Sequence, residues 1–219
     1  MIKAVIFDMD GVLIDTEKHL VRCWCEAAQE FGFPMTREDG LRLRSLAAKY
    51  AGPLLQERFG VDFDYEKVRS RRKQLMNETL AAQGIEKKPG AEELLSFLRE
   101  HGIKTAVATA TDEERAGRYL KEIGIFYQFD EIVCATMVEN GKPKPDIYLY
   151  ACEKIGEKPE DCIAVEDSPN GLRAALDAGL KAVMVPDLTQ PEEDIKKELF
   201  AVADSLQDII PVIKRENQI

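Results

Sequence analysis

The stretch Ala4 to Thr16, "AVIFDMDGVLIDT", is a short apolar run that ends in charge. Ala4-Val5-Ile6-Phe7 contains no polar residue, the pattern of a strand buried on both faces. Asp8 and Asp10 follow at once, with Gly11 behind them. Two carboxylates on the end of a core strand are unfavourable unless positive charge meets them. The chemistry of the protein is expected at that point.

Outward from this stretch the pattern changes twice. "EKHLVRCWCEAAQEF", residues 17–31, is apolar at Leu20, Trp24, Ala27, Ala28 and Phe31, a helical spacing. From Met35 to about Gln83 only helices are predicted, in "LRLRSLAAKYAGPLLQERFG" and "DYEKVRSRRKQLMNETLAAQG". Beyond residue 84 helices and strands alternate. "GAEELLSFLREHG" reads as a helix and "IKTAVATAT" as a buried strand. "DEERAGRYLKEIG" is a helix with Thr111 or Asp112 as its cap and glutamates in its first turn. "EIVCAT", "CIAVED" and "KAVMVP" are strands, separated by helices that begin near Pro145 and Ser168. Two short helices finish the chain. Strands alternating with helices of this length predict an α/β fold, a doubly wound, Rossmann-like parallel sheet. The helical block is too long for a loop. It is predicted to be an inserted all-helical cap domain over residues 16–84, on a catalytic core formed by residues 1–15 and 85–219.

Composition excludes several classes. The 219 residues carry 30 Lys and Arg against 40 Asp and Glu, a net charge of −10. That balance argues against nucleic acid or an anionic membrane as partner. No apolar run approaches a membrane span, and Asp8 interrupts the first apolar run too early for a signal peptide. Five scattered cysteines are expected as free thiols in the cytoplasm. Cys23 and Cys25 are two apart in a predicted helix and so do not share a face. The protein is expected to be a monomer or a weak homo-oligomer.

In a doubly wound sheet ligands bind beyond the carboxyl ends of the strands. The first strand ends in Asp8-x-Asp10-Gly11 and the second in Thr109-Ala110-Thr111. The loop after the third carries Lys142, and the fourth ends in Glu166-Asp167-Ser168. Parallel strands bring all four ends to one edge. The clustered acids would raise one another's pKa values unless a hard divalent cation joined them, and magnesium suits carboxylates, water and phosphate oxygens. Asp8 can then attack phosphorus as a nucleophile. Asp10 can protonate the leaving oxygen and later deprotonate water. Gly11 permits the tight turn. Thr109 and Lys142 would meet the phosphoryl oxygens, where charge develops.

"FDMDGVLIDT", "VATAT", "GKPKPDIY" and "AVEDSPNGLRAALDAG" resemble the four ordered motifs of the haloacid dehalogenase superfamily. The closest branch is the phosphatase and β-phosphoglucomutase-like one, whose helical cap follows the first motif. The resemblance spans nearly the whole chain. It implies Asp8 as phosphorylated nucleophile and Asp10 as general acid and base. It further implies Thr109, Ala110 and Lys142 as phosphate ligands, and magnesium held by Asp8, the Asp10 carbonyl and Asp167 with Glu166 in support. The expected activity is magnesium-dependent hydrolysis of a small phosphorylated metabolite, a sugar phosphate first among the candidates, through an aspartyl phosphate.

Other activities use a similar frame. A dehalogenase would leave Asp10 and Glu166-Asp167 without a task. A phosphonate hydrolase would need a cap lysine, Lys18 or Lys49, beside the nucleophile. A receiver-like phosphoacceptor module would be about half as long and would lack a cap. A β-phosphoglucomutase-type mutase would need an arginine for a second phosphate, in a cap stretch comparable to "LRLRSLAAKY". Ala47 and Ala48 stand about where Ser and Arg would fall there, although Arg44, Lys49, Arg72 or Lys73 could substitute. Residues 37–73 hold ten Lys and Arg against six Asp and Glu, a lid suited to phosphorylated substrates. Candidate substrate contacts are Trp24, Arg44, Lys49 and Thr111. His19 and His101 carry no assigned chemistry.

Overall fold

The computed structural model describes residues 1–219. The first strand, β1 (Ala4–Phe7), leads into four helices, α1 (Glu17–Glu30), α2 (Arg37–Leu41), α3 (Ala48–Phe59) and α4 (Tyr65–Gln83). The chain continues as α5 (Ala91–Glu100), β2 (Lys104–Thr109), α6 (Glu113–Glu122), β3 (Glu131–Cys134), α7 (Asp146–Ile155), β4 (Cys162–Glu166), α8 (Pro169–Asp177), β5 (Lys181–Met184), α9 (Glu193–Lys196), β6 (Ala201–Val202) and α10 (Ile209–Asn217). All strands are parallel, in the order β3-β2-β1-β4-β5-β6.

Strand β1 lies at the centre because both its faces are apolar. Val5 and Phe7 face one helical layer with Leu94, Leu98, Leu120 and Ile213. Ala4 and Ile6 face the other, with Tyr148, Ala151, Leu172 and Ala175. Phe7 is fully buried and meets the Phe129 ring edge-on at 6.0 Å; truncating it to alanine would cost about 3–5 kcal/mol. The chain leaves β1 in one direction to β2 and returns to β4 on the other side. The strand order therefore reverses at β1, and the crevice it opens there is the usual ligand position.

The four helices after β1 have a core of their own: Trp24, Ala27, Ala28, Met35, Leu43, Ala51, Leu55, Phe63 and Val68. The two connections to the sheet domain run side by side, with Ile14 bridged antiparallel to Lys87. Asp15 N–H donates to the Glu86 carbonyl, and Lys88 N–H to the Leu13 carbonyl, each at 2.9 Å.

Local chemistry fixes the helix starts. Thr36 and Asp39 form a capping box at α2. Asp112, rather than Thr111, caps α6 through the Arg115 N–H.

The structure departs from the sequence expectation in two places. The continuous helix expected over residues 41–60 is broken between α2 and α3, and Ser45 sits there with φ 53. The break turns Arg44 and Ser45 down onto the acids of the sheet edge, contacts that no helical period encodes. The C-terminal segment adds a sixth strand, β6, between its short helices. Two residues are too few to show a strand pattern, and pairing with β5 makes them one. No helix is long and apolar enough to cross a membrane. The five cysteines are free, with Cys23 buried and Cys25 turned to the Thr36 carbonyl.

Candidate active site

Asp8, the residue after β1, is 1% exposed. Its Oδ1 accepts from Lys142 Nζ at 2.8 Å and its Oδ2 from Ser45 Oγ at 3.0 Å. Lys142 also donates to Glu166 Oε1 at 2.5 Å and to the Ala108 carbonyl at 2.9 Å. This buried ammonium thus ties the ends of β1, β2 and β4 together. Burial opposes its charge, but Asp8 and Glu166 overcome that and hold its pKa above the ordinary lysine value. Glu166 is steadied further by the Tyr148 hydroxyl at 2.6 Å. Burial and the Asp8 charge push its carboxyl up to about 7, against the pull of Lys142.

Asp10 stands at the cavity wall. Its Oδ1 accepts from Thr16 Oγ1 at 2.5 Å and its Oδ2 from Thr111 Oγ1 at 2.9 Å. Burial first, and then Asp8, raise its pKa despite these donors. A carboxyl whose neutral form is favoured in this way is suited to donate a proton. The Thr111 N–H donates to Thr109 Oγ1 at 3.1 Å, which orients the loop after β2 toward Asp10.

Two glycines permit the close approach of these elements. Gly11 has φ +85, and a Cβ there would lie 2.5 Å from Asp167 Oδ2. A Cβ on Gly171, in the first turn of α8, would lie 2.0 Å from the Glu166 carboxyl carbon. Ser168 caps this helix by accepting from the Gly171 N–H at 3.2 Å.

Carboxylate oxygens of Asp8, Glu166 and Asp167 converge within 4.8 Å of one another, all buried. Asp167 Oδ2 accepts from Arg44 Nη1 at 3.0 Å, while its Oδ1 is buried with no partner. Glu17, the first residue of α1, adds a carboxyl that is 1% exposed, and its Oε2 also has no partner. Burial, Asp167 and Asp10 drive the Glu17 pKa well up. Of the cations around Asp8, Asp10, Glu17, Glu166 and Asp167, Lys142 and Arg44 are in ion-pair contact with them. An excess of buried negative charge with an orphaned carboxylate oxygen is the donor set a hard divalent cation requires.

The structure brings the core residues singled out in the sequence to one edge: Asp8, Asp10, Thr109, Ala110, Thr111, Lys142, Glu166 and Asp167. The cap candidates divide. Trp24 is 4% exposed, stacks on Tyr65 at 5.9 Å and also lines the cavity over Asp8 and Asp10. Arg44 does not face that cavity; it pairs with Asp167 and bonds Thr189. Lys49 lies outside as well, on Asn140 Oδ1 at 2.8 Å. Lys18 is on the surface with Asp15 and Glu86, so neither lysine stands beside the nucleophile. The cap hydroxyl on Asp8 belongs to Ser45 rather than to position 47 or 48. Sequence reasoning missed Ser45 and Glu17. The helical pattern concealed Ser45, and Glu17 read as an ordinary first-turn acid.

A family described as haloacid dehalogenase-like hydrolase matches residues 2–179. The phosphorylated carbohydrates phosphatase of Thermotoga maritima is 34% identical over 185 residues, 83% of each chain. The β-phosphoglucomutase of Bacillus subtilis is 30% identical over 191 residues, 84% of this chain and 83% of its own. A crystal structure of β-phosphoglucomutase from Clostridium difficile superposes with a TM-score of 0.83 at 26% identity, covering 100% of this chain and 98% of that one.

Proposed function

The chain belongs to the haloacid dehalogenase-like hydrolases and is a phosphomonoester hydrolase, and on that premise we propose that it hydrolyses a small phosphorylated carbohydrate through an aspartyl phosphate on Asp8. The observation that carries this reading is the convergence on Asp8 of Lys142, Ser45, Glu166 and Asp167, with Asp10 on the same cavity. The similarity to a phosphatase of phosphorylated carbohydrates supports the substrate class. In this reading residues 16–84 form the cap that covers the substrate.

Each group then has a task. A carboxylate oxygen of Asp8 attacks phosphorus, and the bond from phosphorus to the ester oxygen breaks. Asp10 gives its proton to that oxygen, so the alcohol leaves neutral. A water molecule then loses a proton to Asp10 and attacks the same phosphorus, which restores Asp8 and releases phosphate. Lys142, the Thr109 hydroxyl and the backbone N–H of Ala110 meet the phosphoryl oxygens. Thr16 and Thr111 fix the Asp10 carboxyl. Magnesium would be held by Asp8, Asp167 and the Asp10 carbonyl with Glu166 behind them, and it would supply positive charge to the phosphoryl group. The orphaned Asp167 Oδ1 favours this assignment.

Phosphate release from p-nitrophenyl phosphate and from a panel of sugar phosphates tests the reading. Activity is expected with magnesium, is lost in EDTA and returns on re-addition. No release from any ester, or full release in metal-free buffer, would overturn it. Phosphorus NMR with β-glucose 1-phosphate and catalytic glucose 1,6-bisphosphate should show inorganic phosphate; accumulation of glucose 6-phosphate with little phosphate would point to a mutase. Asp10→Asn should impair alkyl esters severely and p-nitrophenyl phosphate least, because p-nitrophenolate leaves without a proton. Equal damage to both would remove Asp10 from the acid role.

A further inference from the structure

The loop between α2 and α3, residues 42–47, lies on the acids of the sheet edge, and its polar contacts land on residues of the site or beside them. Ser45 Oγ donates to Asp8 Oδ2 and Arg44 Nη1 to Asp167 Oδ2, each at 3.0 Å. The other arm of the guanidinium bonds Thr189 Oγ1, in the loop after β5. The side-chain amide of Asn170, in the first turn of α8, donates to the carbonyls of Arg42 at 3.2 Å and Arg44 at 2.9 Å. The Ala47 N–H donates to the Lys142 carbonyl at 2.9 Å. The backbones approach closely there: a Cβ on Gly141 would lie 2.8 Å from that of Ala47. Two further observations separate this loop from ordinary packing. Ser45 holds φ 53, a conformation disfavoured for a residue with a side chain, which persists only where surrounding contacts enforce it. Leu43, Ser45 and Leu46 also help to enclose a cavity of about 90 Å³ whose floor carries Asp8, Asp10 and Glu17. That is well below the roughly 300–1,000 Å³ of most ligand pockets.

We propose that Arg44 and Ser45 form an autoinhibitory latch, which holds the cap down on the carboxylates of Asp8 and Asp167 and which magnesium binding at those carboxylates releases. This deepens the phosphatase reading and rests on its magnesium assignment. The guanidinium and a dication draw on the same Asp167 carboxylate, and two cations brought that close in a buried site repel each other. Release frees Asp8 Oδ2 from the Ser45 hydroxyl and lets Ser45 leave its left-handed conformation. The cavity then widens toward the size a phosphorylated carbohydrate needs. The coupling is reciprocal, so the closed latch weakens magnesium binding by the same factor by which magnesium weakens the latch.

Backbone amide exchange at Ala47 and magnesium affinity by calorimetry test this, both without substrate. Saturating magnesium should speed exchange of the Ala47 amide about tenfold over its rate in EDTA, while the amides of β1 and β4 do not speed up. Arg44→Met should show the fast exchange already in EDTA. It should also bind magnesium about tenfold tighter, the factor by which a latch closed roughly nine-tenths of the time hides its site. Arg44→Lys should restore part of both properties. If Arg44→Met fails to fold, Asn170→Ala, which loosens the loop without touching an acid, should shift both in the same direction, and no shift in either would overturn the proposal. An Ala47 amide that magnesium leaves unchanged or slows would overturn it too. So would equal or weaker magnesium binding by folded Arg44→Met, the weaker binding making the arginine a support for Asp167. Magnesium binding that leaves Ala47 exchange as it was would defeat this inference alone, whereas no magnesium binding by any variant would defeat the metal assignment as well.

Discussion

Lys142 and Arg72 are both buried cations, and they live in opposite surroundings. Lys142 sits between two carboxylates and a carbonyl, all at 2.5–2.9 Å. Its charge is favoured despite burial. Arg72 has an aromatic ring, two neighbouring arginines and an unpartnered Nε, and its charge is disfavoured. The strand ends therefore supply countercharges to the lysine, while α4 places its arginine on the cavity with no acidic partner. A buried charge that the fold satisfies ties its elements together, and one that it leaves unsatisfied lowers stability.

The largest expected effect breaks the floor chemically. Asp8→Asn is nearly isosteric, keeps an acceptor for Lys142 and removes the nucleophile. The rate constant of phosphate release should fall on the order of 10⁴-fold or more, with the circular dichroism spectrum unchanged. Retention of more than about one hundredth of the activity would show that Asp8 is not the nucleophile.

The next breaks the floor physically. Lys142→Met leaves the buried carboxylates of Asp8 and Glu166 without the cation that lies between them. Breaking a buried pair from one side costs about 3–5 kcal/mol, readable as a lower urea midpoint in metal-free buffer. A midpoint equal to that of the parent protein would mean that the ammonium is not needed to hold the two strand ends together.

Acidity gives a third, intermediate effect. Burial and then Asp8 hold Glu166 up at about 7, and burial likewise raises Asp10, Glu17 and Asp167. A carboxyl raised in the folded state binds a proton that the unfolded chain has already released. These groups therefore weaken the fold as pH rises from about 4.5 toward 7 and beyond. Metal-free protein should have a higher urea midpoint at pH 5 than at pH 8. Magnesium should raise the midpoint more at pH 8, where the carboxylates are free to receive it. A flat profile in EDTA would remove charge repulsion from the account of this site. Asp167→Ala should raise the magnesium concentration needed for half-maximal activity about tenfold or more.

The smallest effect concerns Arg72, and its sign is the reverse of the lysine result. Arg72→Met keeps most of the volume over Trp24 and removes an unsatisfied buried charge. The ligand-free protein should gain about 1–3 kcal/mol, or several degrees in Tm. The folded-state pKa of about 10 lies below the unfolded arginine value. The penalty in the parent protein is thus fully present below pH 10 and eases above it. Destabilisation by Arg72→Met would show that the guanidinium is satisfied in the absence of any ligand.

The sheet and the acidic strand ends follow from chain-local patterns. Ala4–Phe7, the strand ending at Thr109 and the strand ending at Glu166 are apolar runs that must be buried. Helices between them force parallel order, and parallel order carries Asp8, Thr109 and Glu166 to one edge. Each step depends on neighbours along the chain. The setting of Arg72 and the cap contacts on the sheet edge come from long-range docking. The period of α4 marks Val68, Arg72, Met76 and Leu80 as one face, all buried, but only the docking of α4 against α1 sets Arg72 over Trp24, on the cavity that Tyr119 also lines. The turn at Ser45 arises in the same way. Its φ of 53 is sustained by a hydroxyl on Asp8 and by Arg44 on Asp167, contacts that span 37 and 123 residues. No local propensity encodes them, because the energy that selects them comes from charges the chain meets only once it has folded.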